Sequence, residues 1–318
     1  MGKDRRTELT QTGRYSPLRY PGGKGKIARF MRSIVRANGL SDGRYVEPYA
    51  GGAAVAWELL ITGVVRRVTV NDISRPVYAF WDSVLNRTED LCRLISDRPV
   101  TVDEWDHWKD ILRRGSEDNL EIGFAFFFLN RTNRSGILNG GIIGGREQTG
   151  NWKIDARYNK SELISRIHKI ADLRSRIEIT QMDAVEFFKA QAPGWKSNTL
   201  VYIDPPYFEK GRYLYHDAYR EGDHRIVSEA ISQLKGVKWV VSYDDVMPIH
   251  TLYEDWYWLQ YSLNYSARNR LRGREAMFFS SGLIVPEVPT PLLEIDRDDA
   301  GSHRSVSERT FTVADKTP

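Results

Sequence analysis

Cysteine is nearly missing from this chain: Cys92 stands alone among 318 residues. That excludes an internal disulfide and a cysteine-built zinc site, and leaves a small buried thiol as the expected role. Long apolar runs are missing too. None approaches the roughly 18 to 20 residues of a membrane span, and the first thirty residues are too polar for a signal peptide. A cytoplasmic protein with no membrane and no metal is therefore expected. A Walker loop is also lacking. Tyr20-Pro21-Gly22-Gly23-Lys24-Gly25-Lys26 opens a helical pattern (Ile27, Phe30, Met31, Ile34, Val35), but Ile27 follows the second lysine where Ser or Thr is needed and the glycine spacing differs. Its free N–H groups suit a single carboxylate better than a triphosphate.

Apolar residues make up 41% of the chain, enough for one large domain or a domain carrying an insertion. Formal charge is only +4, yet residues 1 to 36 hold ten Lys or Arg against Asp4 and Glu8. Such asymmetry favours a polyanionic partner over a neutral one, although solvated surface charge gives the same count.

Leu200-Val201-Tyr202-Ile203 reads as a buried strand, stopped by Pro205 and Pro206, which cannot donate to a ladder. Asp204 thus stands at a strand's carboxyl end, where open α/β sheets bind ligands. The Asp204 carboxylate and the Pro205 carbonyl, with no N–H beside it, can accept the two hydrogens of an exocyclic amine while Tyr207 stacks on the ring. Asp-Pro-Pro also makes ordinary turns.

The same edge collects further acids. A strand at Arg44–Glu47 runs into Pro48-Tyr49-Ala50-Gly51-Gly52 before a helix at Ala53–Ile61, and Gly51 and Gly52 let a cofactor approach the backbone. The strand Arg67–Asn71 ends on Asp72, twenty residues past Gly52, where a carboxylate holds a ribose diol or caps the next helix. A strand at Ile177–Thr180 leads to Asp183, which also reads as a helix N-cap. The strand Trp239–Tyr243 ends at Asp244 and Asp245.

Residues 76 to 115 read as helical with a break at Pro99, followed by the buried run Phe124–Leu129 and then Asn130-Arg131-Thr132-Asn133-Arg134-Ser135-Gly136. Arg131, Asn133 and Arg134 are expected to meet DNA, because Arg and Asn read guanine and adenine edges bidentately. A helix is expected over 160 to 173. Two antiparallel strands, 256 to 261 and 276 to 285, flank a turn whose Arg268, Arg270, Arg272 and Arg274 suit phosphates. Residues 208 to 223 read as a loop over the site, and 287 to 318 as a disordered tail.

Together, Tyr20-Pro21-Gly22-Gly23-Lys24, Glu47-Pro48-Tyr49-Ala50-Gly51-Gly52, Asp72, Asp183 and Asp204-Pro205-Pro206-Tyr207 resemble the Dam-type adenine-N6 DNA methyltransferases over about residues 15 to 285. The resemblance implies an α/β fold: a Rossmann-like S-adenosylmethionine-dependent methyltransferase sheet with an inserted, mainly helical DNA-recognition domain. It also implies that Tyr20 and Lys24 border the cofactor with Gly51 and Gly52, that Asp72 binds the ribose and Asp183 the cofactor's adenine amine, and that Asp204 lies between cofactor and target base. Ala53 departs from the family where many relatives have a third glycine. Arg131–Gly136 only partly resembles the hairpin of enzymes acting on GATC, so no recognition site carries over.

The expected organisation is a catalytic domain from 1–85 and 175–286, an inserted target-recognition region over 86–174, and the tail. The expected activity is site-specific transfer of a methyl group to N6 of a flipped-out adenine in double-stranded DNA, with a cognate restriction nuclease as a candidate partner. Cytosine N4, RNA or a protein amide are the alternative acceptors, and a silent DNA-binding relic is the alternative from another class.

Overall fold

The computed structural model describes residues 15–19, 27–209, 219–264 and 272–287. Five parallel strands form the middle and one edge of the sheet: β1 (Arg44–Glu47), β2 (Arg67–Asn71), β3 (Ile177–Thr180), β4 (Thr199–Ile203) and β5 (Lys238–Asp244). An antiparallel pair, β6 (Tyr257–Asn264) and β7 (Arg272–Phe279), completes the other edge, giving the order β3-β2-β1-β4-β5-β7-β6. Every residue of β4 is buried, as expected of a parallel strand covered on both faces.

Side chains alternate between two cores with a period of two. Tyr45, Val68, Leu200, Tyr202, Val240 and Met277 pack with α1 (Ala28–Ala37) and α2 (Ala54–Ile61). Val46, Val201, Ile203, Val241 and Phe278 face α8 (Ala184–Gln191), α9 (Glu221–Ser232) and α10 (Met247–Leu252).

Between β2 and β3 run α3 (Arg75–Asn86), α4 (Thr88–Asp97), α5 (Val102–Arg114), α6 (Asn119–Thr132) and α7 (Lys160–Ala171). The run Phe124–Leu129 lies inside α6, started by Asp118, whose carboxylate accepts from Leu120 N at 2.9 Å. Trp105 and Trp108 are buried on α5 against this helix. The helical stretch from 76 breaks at Arg87 as well as near Pro99.

The second strand of the antiparallel pair departs from expectation. It begins at Arg272 and ends at Phe279, not at 285. Just past its end the Ser280 hydroxyl accepts the Trp239 amide at 3.0 Å, and a turn at Ser281 and Gly282 follows, with Gly282 at φ +66°. No described helix is long and apolar enough to cross a membrane.

Candidate active site

Because β1 to β5 are parallel, their carboxyl ends share one edge, and Asp72, Asp183, Asp204 and Asp244 all fall on it. Asp72 and Asp204 follow β2 and β4, the two neighbours of β1, so their strands stand about 10 Å apart at the usual spacing.

One half of this edge is built around Asp72. Its Oδ2 accepts the Gly51 amide at 2.8 Å and its Oδ1 the Ser74 amide at 2.9 Å. Burial nevertheless pushes the carboxyl up to about 6, against the pull of those two N–H groups. Gly51 sits at φ +47°, a conformation an L side chain resists, and Trp81 donates its indole N–H to the Gly51 carbonyl at 2.9 Å. Asn71 staples the strand tips. Its amide donates to Pro48 O and Met182 O, while its oxygen accepts from Thr180 Oγ1 and Met182 N. Asp183, next to that staple, is exposed and caps α8 through Val185 N (2.9 Å) and Glu186 N (3.3 Å). The acceptor acids and the positive-φ turn suit the diol and polar edge of a nucleoside-like cofactor.

On the other half, Ser242 Oγ donates to Asp204 Oδ1 at 2.7 Å. The Ser242 oxygen lies 2.8 Å from the Tyr202 hydroxyl. A serine has one proton to give, so Tyr202 donates to Ser242 and Ser242 to Asp204, a chain of hydroxyls ending on the carboxylate. Pro205 is buried directly behind it. Tyr207 is buried as well, its hydroxyl donating to Glu275 Oε1 at 2.7 Å. Phe208 N and Glu209 N donate to Asp244 at 2.8 and 2.9 Å. Beneath the site, Glu47 is sealed under the turn; burial pushes its carboxyl up to about 8, with the Ala56 amide opposing and Asp204 adding to the rise.

Tyr20, Lys24, Arg268 and Arg270 lie outside the described residues. The segment just before Tyr20 is fixed at both ends. Ser16 Oγ donates to Gly52 O at 2.6 Å, and Arg19 exchanges backbone bonds of 2.7 Å with the Asn130 side chain.

The expected DNA contacts divide. Asn133 is fully buried, its amide donating to Ile137 O and Leu138 O and its oxygen accepting from Trp105 Nε1. It cannot reach a base, and its role is to shape the turn after α6. Gln148, between α6 and α7, is likewise spent on Ile143 O, Gly145 O and Ile154 N. Arg131 is half-buried at the seam with the Ser16–Arg19 segment, where burial first, then Arg19 and Arg166, push its guanidinium down to about 9. Arg134 is exposed. Sequence reasoning missed Glu275, Ser242, Tyr202 and Asn71, whose partners are remote in the chain; Ser242 alone carried a local signal, two residues before the acid that ends β5. Among the described residues no three His, Cys, Asp or Glu side chains form a metal cluster.

A family model, the D12 class N6 adenine-specific DNA methyltransferases, matches residues 20–267. No curated protein is similar enough in sequence to match. Among solved structures, the chain is similar to a SAM-dependent methyltransferase from Agrobacterium tumefaciens, with 9% identity, 81% of this chain and 63% of that one covered, and a TM-score of 0.41. It is also similar to the rRNA methyltransferase AviRa from Streptomyces viridochromogenes, with 12% identity, 87% and 93% coverage and a TM-score of 0.35.

Proposed function

The chain belongs to the D12 class of N6 adenine-specific DNA methyltransferases, S-adenosylmethionine-dependent enzymes, and from that premise we propose that it methylates an adenine flipped out of double-stranded DNA at a specific site. The observation carrying this reading is Asp204, fixed by Ser242 at a strand's carboxyl end on the same edge as Asp72 and followed by Pro205, Pro206 and Tyr207.

S-adenosylmethionine supplies a methyl group already activated on a sulfonium, so no strong base is needed. Asp204 and the Pro205 carbonyl accept the two amine hydrogens of adenine, raising the nucleophilicity of N6 and aligning it, while Tyr207 holds the ring. With S-adenosylmethionine bound, Asp204 would take the excess proton from the amine as N6 receives the methyl group and the thioether leaves as S-adenosylhomocysteine. Asp72 takes the ribose hydroxyls, Gly51 and Gly52 line the backbone approach, and Asp183 takes the cofactor's adenine amine. Tyr20 and Lys24 belong to the same site by likeness to the family.

Residues 86–174 form the target-recognition region in this reading, with Arg131 and Arg134 as its DNA contacts and Arg268 and Arg270, in the sequence between β6 and β7, as phosphate contacts. A cytoplasmic setting and a cognate restriction nuclease complete it. Duplex oligonucleotides carrying 2-aminopurine at the methylated adenine test the flipping step: fluorescence should rise on binding. An unchanged signal with normal methylation of the parent duplex would argue against extrusion.

A further inference from the structure

Three residues lie in one transverse row of the sheet: Asp244 on β5 pairs with Glu275 on β7, and Glu275 with Tyr261 on β6. Cross-strand partners share a face, and this is the face of Tyr202 and Ser242. Both acids are buried, Glu275 at 0% and Asp244 at 2% exposure. They hold the loop that begins at Asp204. Pro205 and Pro206 have no N–H to give, and the next three residues each supply a donor to this row. Tyr207 gives its hydroxyl to Glu275, and Phe208 and Glu209 give their amides to Asp244. Tyr261 donates its own hydroxyl to the other oxygen of Glu275.

A buried carboxylate is costly unless hydrogen-bonded, and an apolar side chain of similar volume is often as stable or more so. Glu275 therefore needs a reason beyond stability. Its two oxygens are occupied by two phenols on different elements, which fixes the carboxylate plane through Tyr261 and the Tyr207 ring through its hydroxyl.

We propose that Glu275 is a positioning residue for methyl transfer: it sets the plane of Tyr207, and Tyr261 sets the plane of Glu275. This rests on the reading of Tyr207 as the ring that holds the target base. Phenylalanine at 207 keeps the stacking surface and loses the orientation, so the hydroxyl bond and the ring are separable by experiment.

Steady-state kinetics on Tyr207→Phe, Glu275→Leu, Tyr261→Phe and the Tyr207→Phe/Glu275→Leu pair provide the test; leucine is used because a glutamine oxygen would still accept the Tyr207 hydroxyl. Misplacement of the target by about 1 Å costs about a hundredfold, so Tyr207→Phe and Glu275→Leu are each expected to lower kcat by about ten- to a hundredfold. KM for S-adenosylmethionine should stay put, and Tyr261→Phe should give a smaller drop. The double variant should be no slower than the slower single, because both changes break one interaction. Wild-type kcat in Glu275→Leu, or a double variant whose loss is the product of the two singles, would overturn the proposal. Should Glu275→Leu fail to fold, Tyr207→Phe breaks the same bond from the other end, and wild-type kcat there overturns it equally. The methylated base is identified in the same assay. Cytosine methylation with the same losses would keep the clamp and overturn the adenine reading; adenine methylation untouched by Glu275→Leu would do the reverse.

Discussion

Gly51 donates its amide to the Asp72 carboxylate at 2.8 Å, across 21 residues of chain, so the glycine turn after β1 and the acid after β2 are one unit. A cofactor that presses on the turn and bonds the acid meets a preformed wall. The carboxyl's position at about 6 gives that wall a pH dependence.

Below pH about 6 Asp72 carries a proton, and in the proposed cofactor site it would lose the charge-assisted acceptance of two ribose hydroxyls. Calorimetric titration with S-adenosylhomocysteine should find affinity constant above pH 7 and falling by up to about tenfold per pH unit below the carboxyl's midpoint. Asp72→Asn should bind about ten- to a hundredfold more weakly, with a flatter profile. A wild-type affinity that rises on acidification would remove Asp72 from the cofactor site.

Glu47 sets a stability profile of its own. Its folded-state carboxyl, at about 8 against an ordinary 4.5, holds a proton that the unfolded chain has released, so the folded state binds more protons between those values and stability falls as pH rises through that window. Asp72, also raised, acts in the same direction. Glu47→Gln should flatten the loss, by roughly a few kcal/mol at the alkaline end, with the Ala56 bond kept through the amide oxygen. Urea denaturation at a series of pH values checks it; parallel slopes for the two proteins would contradict it.

Ala53 occupies the left-handed region, φ +45° and ψ +36°, at the start of α2. That conformation costs an L residue about 1 to 2 kcal/mol, whereas glycine's extra freedom when unfolded costs about 0.4 to 1 kcal/mol. The first outweighs the second, so Ala53→Gly should raise thermal stability by roughly 0.5 to 1 kcal/mol. A lower melting temperature would mean that the methyl group's packing outweighs the strain.

The two residues that follow α6 should separate in their effects. Asn133→Ala breaks three hydrogen bonds of a fully buried side chain and should destabilise the fold by about 2 to 4 kcal/mol. Arg134→Ala, on the surface, should leave stability alone, weaken DNA binding and reduce the salt slope by about 1. Binding titrations over a range of salt, beside melting curves, test both, and an unaltered slope for Arg134→Ala would put the DNA elsewhere.

Much of the fold was legible because its signals are local. Asp204 follows an apolar run that two prolines stop, and the Gly51-Gly52 turn marks the end of β1, beside the strand that ends on Asp72. Asp183 showed its capping role the same way. Glu275 hid because Arg272-Gly273-Arg274-Glu275 looks like a charged loop; what makes it a strand is pairing on both sides, with β5 and β6. Asn133 misled for a related reason. A polar side chain among arginines resembles a reader of bases until Trp105, 28 residues earlier, claims its oxygen.

The most direct measurement follows the methyl group. Wild-type protein and Asp204→Ala are incubated with labelled S-adenosylmethionine and duplex DNA, cofactor binding is verified for both, and the DNA is digested to nucleosides. The wild type should place label in N6-methyladenine, and Asp204→Ala should place essentially none while still binding cofactor. Equal label from the variant, or wild-type label in N4-methylcytosine, would contradict the role given to Asp204.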